Sequence, residues 1–220
     1  MAKIWKDNGL TIALMLMFIA SLAGHFIVGW HVENEQLARH GEAAITLSEF
    51  ASSPLFLATL FENWESEFLQ MATYVLLTAC LFQRGSAESR DPDEAPRDAG
   101  LAAQGKRPEA PAMLRWGRTM RDLYANSLGL ALVLLFVISF VLHWQFSARE
   151  AAAEAASHGE AGQSALEYLG SAQFWFESFQ NWQSEFLSTA VLVVLSIFLR
   201  QRESPESKPV AAAHGDTGAQ

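Results

Sequence analysis

The sequence predicts an all-α membrane protein, with four transmembrane helices arranged as two tandem parallel-repeat helical hairpins and short outer interfacial helices. Three observations carry that prediction. Half of the 220 residues are hydrophobic, and they gather into four blocks instead of spreading at the spacing of a soluble core. The chain matches itself at an offset of 118 residues. Its lysines and arginines lie almost wholly on one side of the blocks.

The first block, Leu10 to Trp30, runs 21 residues without a formal charge, and at about 1.5 Å per residue it covers a hydrocarbon layer of about 30 Å. The third, Leu128 to Phe146, has His143 as its one ionisable group. The second and fourth, Phe68 to Phe82 and Phe186 to Leu199, are 15 and 14 residues long and need the aromatic, partly acidic segments before them to complete a crossing. A secretory signal is the rival reading of the first block, with Lys3 and Lys6 ahead of it and Ser21-Leu22-Ala23 inside it. The block continues apolar to Trp30, however, and its counterpart at Leu128 lies mid-chain.

Charge sets the expected orientation. Thirteen Lys and Arg residues lie before the first span, between the second and third, or after the fourth, against Arg39 and Arg149 on the other side. The positive-inside rule then places both termini and the linker in the cytoplasm. The opposite connections hold 13 carboxylates, an acidic outer face that attracts cations and repels polyanions. Nucleic acid is not an expected partner. Cys80 is the only cysteine, which excludes an intrachain disulfide and a cysteine-based metal site.

Residues 6–89 align with 124–207 without a gap, and 32 of the 84 positions are identical. Each copy holds an even number of spans, so both enter the membrane in the same direction. The expected organisation is a first hairpin over 1–84 with spans about 10–30 and 64–83, and a flexible linker over 85–112. A second hairpin follows over 113–202, with spans about 127–147 and 182–201, and then a disordered tail over 203–220. Within each outer connection, Thr46 to Glu49 and Ser164 to Glu167 have the capping-box pattern, and Ser53-Pro54 reads as a helix start. His40-Gly41 and His158-Gly159 read as helix-ending turns.

The densest match is Asn63-Trp64-x-Ser66-Glu67-Phe68-Leu69 against Asn181-Trp182-x-Ser184-Glu185-Phe186-Leu187, with Gln-Arg-x-Ser-x-Glu-Ser following at Gln83 to Ser89 and Gln201 to Ser207. In these motifs the chain resembles an uncharacterised family of small bacterial inner-membrane proteins, over nearly its whole length. The resemblance implies a bacterial inner (plasma) membrane location. It carries no assigned activity, and so no catalytic roles.

Depth along the helices singles out four side chains. His25 lies 15 residues from Leu10 and Glu67 lies 16 from Gln83, and His143 and Glu185 repeat the arrangement. Helical phase places Asn63, Ser66, Glu67 and Gln70 on a common face, with Asn181, Ser184 and Glu185 matching the first three. Ionisable groups inside a span are costly and acquire partners. Two readings are open. The four form a metal site, for which two His and two carboxylates suit Zn, Fe or Mn, or a proton-accepting cluster; a haem between His25 and His143 is a further, less supported variant. Alternatively, His and Glu pair as a clamp that holds each hairpin. No nucleotide-binding loop, nucleophile elbow, His-Glu-x-x-His or Cys-x-x-Cys occurs. The leading expectation is therefore a structural or accessory membrane protein, not an enzyme, with the lipid bilayer and a homo-oligomer or membrane-protein partner around it. Metal binding or proton/cation handling at the paired His and Glu is the alternative.

Overall fold

A computed structural model describes residues 2–218. Among them the regular structure is entirely helical: α1 (Ala2–His40), α2 (Leu47–Ala51), α3 (Pro54–Cys80), α4 (Leu101–Gln104), a 3-10 turn (Ala112–Arg115), α5 (Arg118–Ala125), α6 (Ser127–Ser157), α7 (Ala165–Leu169) and α8 (Ala172–Phe198). The bounds of α2 and α7, and of α3 and α8, differ by 118 residues at both ends. Of the four expected spans, α1 and α6 are long and apolar enough to cross a bilayer by length and composition. The 27-residue α3 and α8 reach about 40 Å but fall short in apolarity. Glu62 and Glu65 in α3 and Glu177 in α8 lie in the half nearest the outer connection, and Glu67 and Glu185 at the midpoint of each helix.

Local chemistry starts and stops these helices. Thr46 and Ser164 each accept the backbone N–H three residues on, while Glu49 and Glu167 accept the N–H of the cap residue. Ser53 and Ser171 cap α3 and α8 through Phe56 N–H and Phe174 N–H. Gly41 and Gly159 both have φ +74°, the left-handed conformation that ends a helix and that L side chains rarely adopt. Trp30 and Trp144 donate from the indole to Ile45 O (2.8 Å) and Ala165 O (2.6 Å), tying the outer connections back to α1 and α6. The Gln-Arg-x-Ser-x-Glu-Ser segments make one repeated turn: the Ser89 and Ser207 hydroxyls accept from Gln83 N–H and Gln201 N–H, each at 2.9 Å. Residues 217 and 218 fold back on the first of these turns, where Gly85 N–H donates to Thr217 Oγ1 and Gly218 N–H to Ser86 O, each at 2.9 Å.

The main packing runs between the hairpins, not within them. α3 lies antiparallel along α6, with Phe61 stacked on Phe146 (ring centroids 6.0 Å, 10° between planes) and Leu76 against Gly129, where an added Cβ would come within 3.1 Å of Leu76 Cδ2. Ala58, Glu65 and Ala72 on α3 face this seam at seven-residue spacing, and Gly129, Leu132, Ser139, His143 and Ser147 on α6 follow a three-four spacing. Small residues let the backbones approach closely. The seam's loop end meets the best-packed apolar cluster, Ala148, Tyr168 and Phe174, with Phe140, Trp144 and Trp175 around it. α8 touches α3 through Gln70, which donates to Thr189 Oγ1 at 2.7 Å.

Candidate functional site

The α3–α6 seam places His143 at 0% exposure and Glu65 at 1%. His143 Nδ1 lies 2.6 Å from Glu65 Oε2, and Trp182 of α8 donates its indole N–H to Glu65 Oε1 at 2.9 Å. Both oxygens of Glu65 are thus engaged, one by each helix of the second hairpin. Trp182 can only donate; at the His143–Glu65 contact one proton is shared between the two partners, and a carboxylate there calls for the Nδ1–H tautomer of His143. Among the described residues, His143 Nε2 and Ser178 Oγ are buried without a hydrogen-bond partner. Phe174, itself at 0% exposure, covers the imidazole with ring centroids 5.0 Å apart.

Further acids surround the pair. Glu62, one turn before Glu65, accepts from Asn181 Nδ2 and lies within electrostatic range of His143, Glu65 and Glu177. Glu177 accepts from Gln173 Nε2 at 2.6 Å and from the Tyr168 hydroxyl at 3.4 Å. Burial first, and then the Glu177 carboxylate, hold the Tyr168 phenol above its ordinary range, so it remains a donor. A line of ionisable groups therefore runs from the loop end toward His143.

The residues singled out in the sequence are distributed differently. His25 is exposed and meets Thr59 Oγ1 through Nε2 at 3.2 Å, with Phe56 beside it (5.4 Å between centroids). Glu67 and Glu185 are near enough to repel one another, and the histidines' hydrogen-bond partners are Thr59 and Glu65 instead. Asn63, Ser66 and Ser184 bond back to their own helices, at Thr59 O (2.8 Å), Asn63 O (2.9 Å) and Asn181 O (2.8 Å). Asn181 does the same at Glu177 O (3.2 Å) and also reaches Glu62. Among the described residues, no three His, Cys, Asp or Glu side chains converge as a metal-binding group.

Glu65 was not among the sequence candidates, because it occupies the variable position of Asn-Trp-x-Ser-Glu and becomes Gln183 in the second copy. The readable signal was asymmetry: Glu62 and Glu65 are acids whose matches, Gln180 and Gln183, are amides. Glu177 is the reverse case, an acid whose match is Thr59.

Fold and site together define an all-helical protein with two helices able to cross a membrane and a buried His–Glu centre between its two halves. The chain belongs to the family described as "Domain of unknown function (DUF6766)", whose model matches residues 1–219. Neither the curated proteins nor the solved structures contain a match.

Proposed function

We propose that this chain is a multi-pass protein of the bacterial inner membrane, both termini cytoplasmic, that binds and passes a proton at His143. α3 and α8 complete the four crossings, their polar thirds lying against α6 and against each other instead of against lipid. The observation that carries the reading is the buried Nε2 of His143, without a hydrogen-bond partner among the described residues, on an imidazole whose Nδ1 is engaged by Glu65. With Glu65 ionised and the imidazole neutral, the pair holds one net negative charge in a dry site. A proton taken at Nε2 makes it an imidazolium–carboxylate pair with no net charge, which low-dielectric surroundings favour. The first hairpin supports a route for that proton: Thr59 is bonded to Nε2 of His25, and the residue 118 positions on from Thr59 is Glu177. Glu177 is therefore the group that delivers or removes the proton, with Glu62 and Tyr168 beside it.

The structural or accessory reading has its own support. Glu65 comes from the first hairpin and both of its donors from the second, so the centre also joins the two halves. Proton flux into proteoliposomes, driven by a potassium diffusion potential and read by an internal pH dye, separates the two. Wild-type flux that falls at least tenfold in both Glu177→Gln and His143→Gln, with folded protein by circular dichroism, is the expected result. Absent wild-type flux, or flux unchanged in both variants, leaves the centre as a clamp.

A further inference from the structure

The seam that joins α3 to α6 has a second, unfilled edition. Shifting Gly129, Leu132, Phe136, Ser139, His143 and Phe146 by 118 positions gives, on α1, Thr11, Leu14, Phe18, Ser21, His25 and Val28, while the match of Ser147, Gly29, lies under Phe50. On α8 the same shift gives Phe176, Gln180, Gln183, Leu187, Ala190 and Val194. All twelve are exposed. Leu132 is 6% exposed but Leu14 is 56%; Ala58 is 6% exposed but Phe176 is 65%. Among the described residues, no hydrogen bond or ring contact joins α1 to α8 in the chain, whose α8 leans on α3 instead.

We infer that α1 of one copy packs along α8 of a second copy of this chain, reproducing between subunits the antiparallel α3–α6 seam. Lipid satisfies the apolar members of these faces, but Thr11, Ser21, His25, Gln180 and Gln183 are polar groups that hydrocarbon cannot hydrogen-bond. In the docked arrangement the partner subunit's Gln183 stands to His25 as Glu65 stands to His143. The substitution fits the change of partner: an amide oxygen accepts from imidazole without placing a net charge in the seam. The interface is heterologous, using two different faces, and each chain carries one of each.

Cysteine cross-linking in native membranes tests this in a Cys80→Ser background. Phe61 stacks on Phe146 within the chain, so the matched intersubunit pair is Phe179 with Val28. A Val28→Cys, Phe179→Cys double variant treated with a short bismaleimide is expected to give an intermolecular product from most of the chains. Each single variant is expected to give none, and Phe61→Cys with Phe146→Cys a product within one chain. Ala190→Trp, which alters an exposed residue of the single chain, is expected to abolish the intermolecular product and leave the internal one. The proposal is overturned if the Val28/Phe179 pair stays unlinked or links within one chain, or if either single variant dimerises, while the Phe61/Phe146 control reacts. The assay involves no flux measurement, so it stands or falls apart from the proton reading.

Discussion

His143 and His25 occupy matched positions in two hairpins that agree at 32 of 84 positions, yet one is 0% exposed against a carboxylate and the other exposed against a threonine. The aromatic cover is the same in both, Phe174 over one and Phe56 beside the other. What differs is the neighbour. His143 has α3 packed along it, whereas among the described residues no hydrogen bond or ring contact joins His25 to a second-hairpin helix. The comparison teaches that the repeat supplies the histidine and its apolar cover, while the carboxyl group that meets the imidazole comes from the other repeat.

The largest effect should come from removing each histidine in turn. His143→Ala leaves Glu65 buried without its main donor, and loss of one partner from such a pair costs about 3–5 kcal/mol; His25→Ala, at an exposed site, should stay within about 0.5 kcal/mol. Thermal unfolding of the monomer in detergent compares them, and equal losses would break the asymmetry. Next come the small seam residues. Ala72 is 3% exposed, and Ala72→Leu overpacks the seam by about 1–3 kcal/mol, whereas Ala190→Leu should leave the monomer unchanged. A penalty for both would mean that α8 has a partner within the chain.

Smaller effects should be symmetric. Thr46→Ala and Ser164→Ala each remove one capping box, a loss of about 1 kcal/mol in either half, and a markedly unequal pair would show that the loop ends are not equivalent. The smallest is a pH effect on the same boxes. Hydrogen bonds hold both carboxylates below their ordinary range, from the Thr46 backbone first and then its hydroxyl for Glu49, and from the Ser164 hydroxyl first and then its backbone for Glu167. A depressed folded value means that the contribution is present above the ordinary glutamate range and is lost as pH falls through the lowered value. Amide exchange at Glu49 and Glu167, corrected for its intrinsic pH dependence, should therefore lose protection together on acidification. Protection that does not change would remove the carboxylates from the caps.

Legibility followed sequence range. The capping boxes, the glycine turns after His40 and His158 and the serine start of α3 rest on residues within four positions of one another, and the sequence displayed them directly. The all-helical class was also readable, because apolar blocks of such length leave few alternatives. The partner of His143 was not, because Glu65 is 78 residues away and occupies the one position of the Asn-Trp-x-Ser-Glu-Phe-Leu motif where the copies differ. Nor could periodicity say that α3 would prefer α6 over its own hairpin mate. That choice rests on close approach at Ala58, Ala72, Gly129 and Ser139, a complementarity between two faces that neither helix displays alone.

Location of the proton tests the central claim most directly. Nitrogen NMR of labelled histidine in bilayers, with Glu65 followed by its infrared carboxyl bands, should show His143 as the Nδ1–H tautomer at alkaline pH. On acidification it should gain a proton at Nε2 while Glu65 stays ionised. An Nε2–H tautomer, or a proton that appears on the Glu65 carboxyl first, would contradict the account.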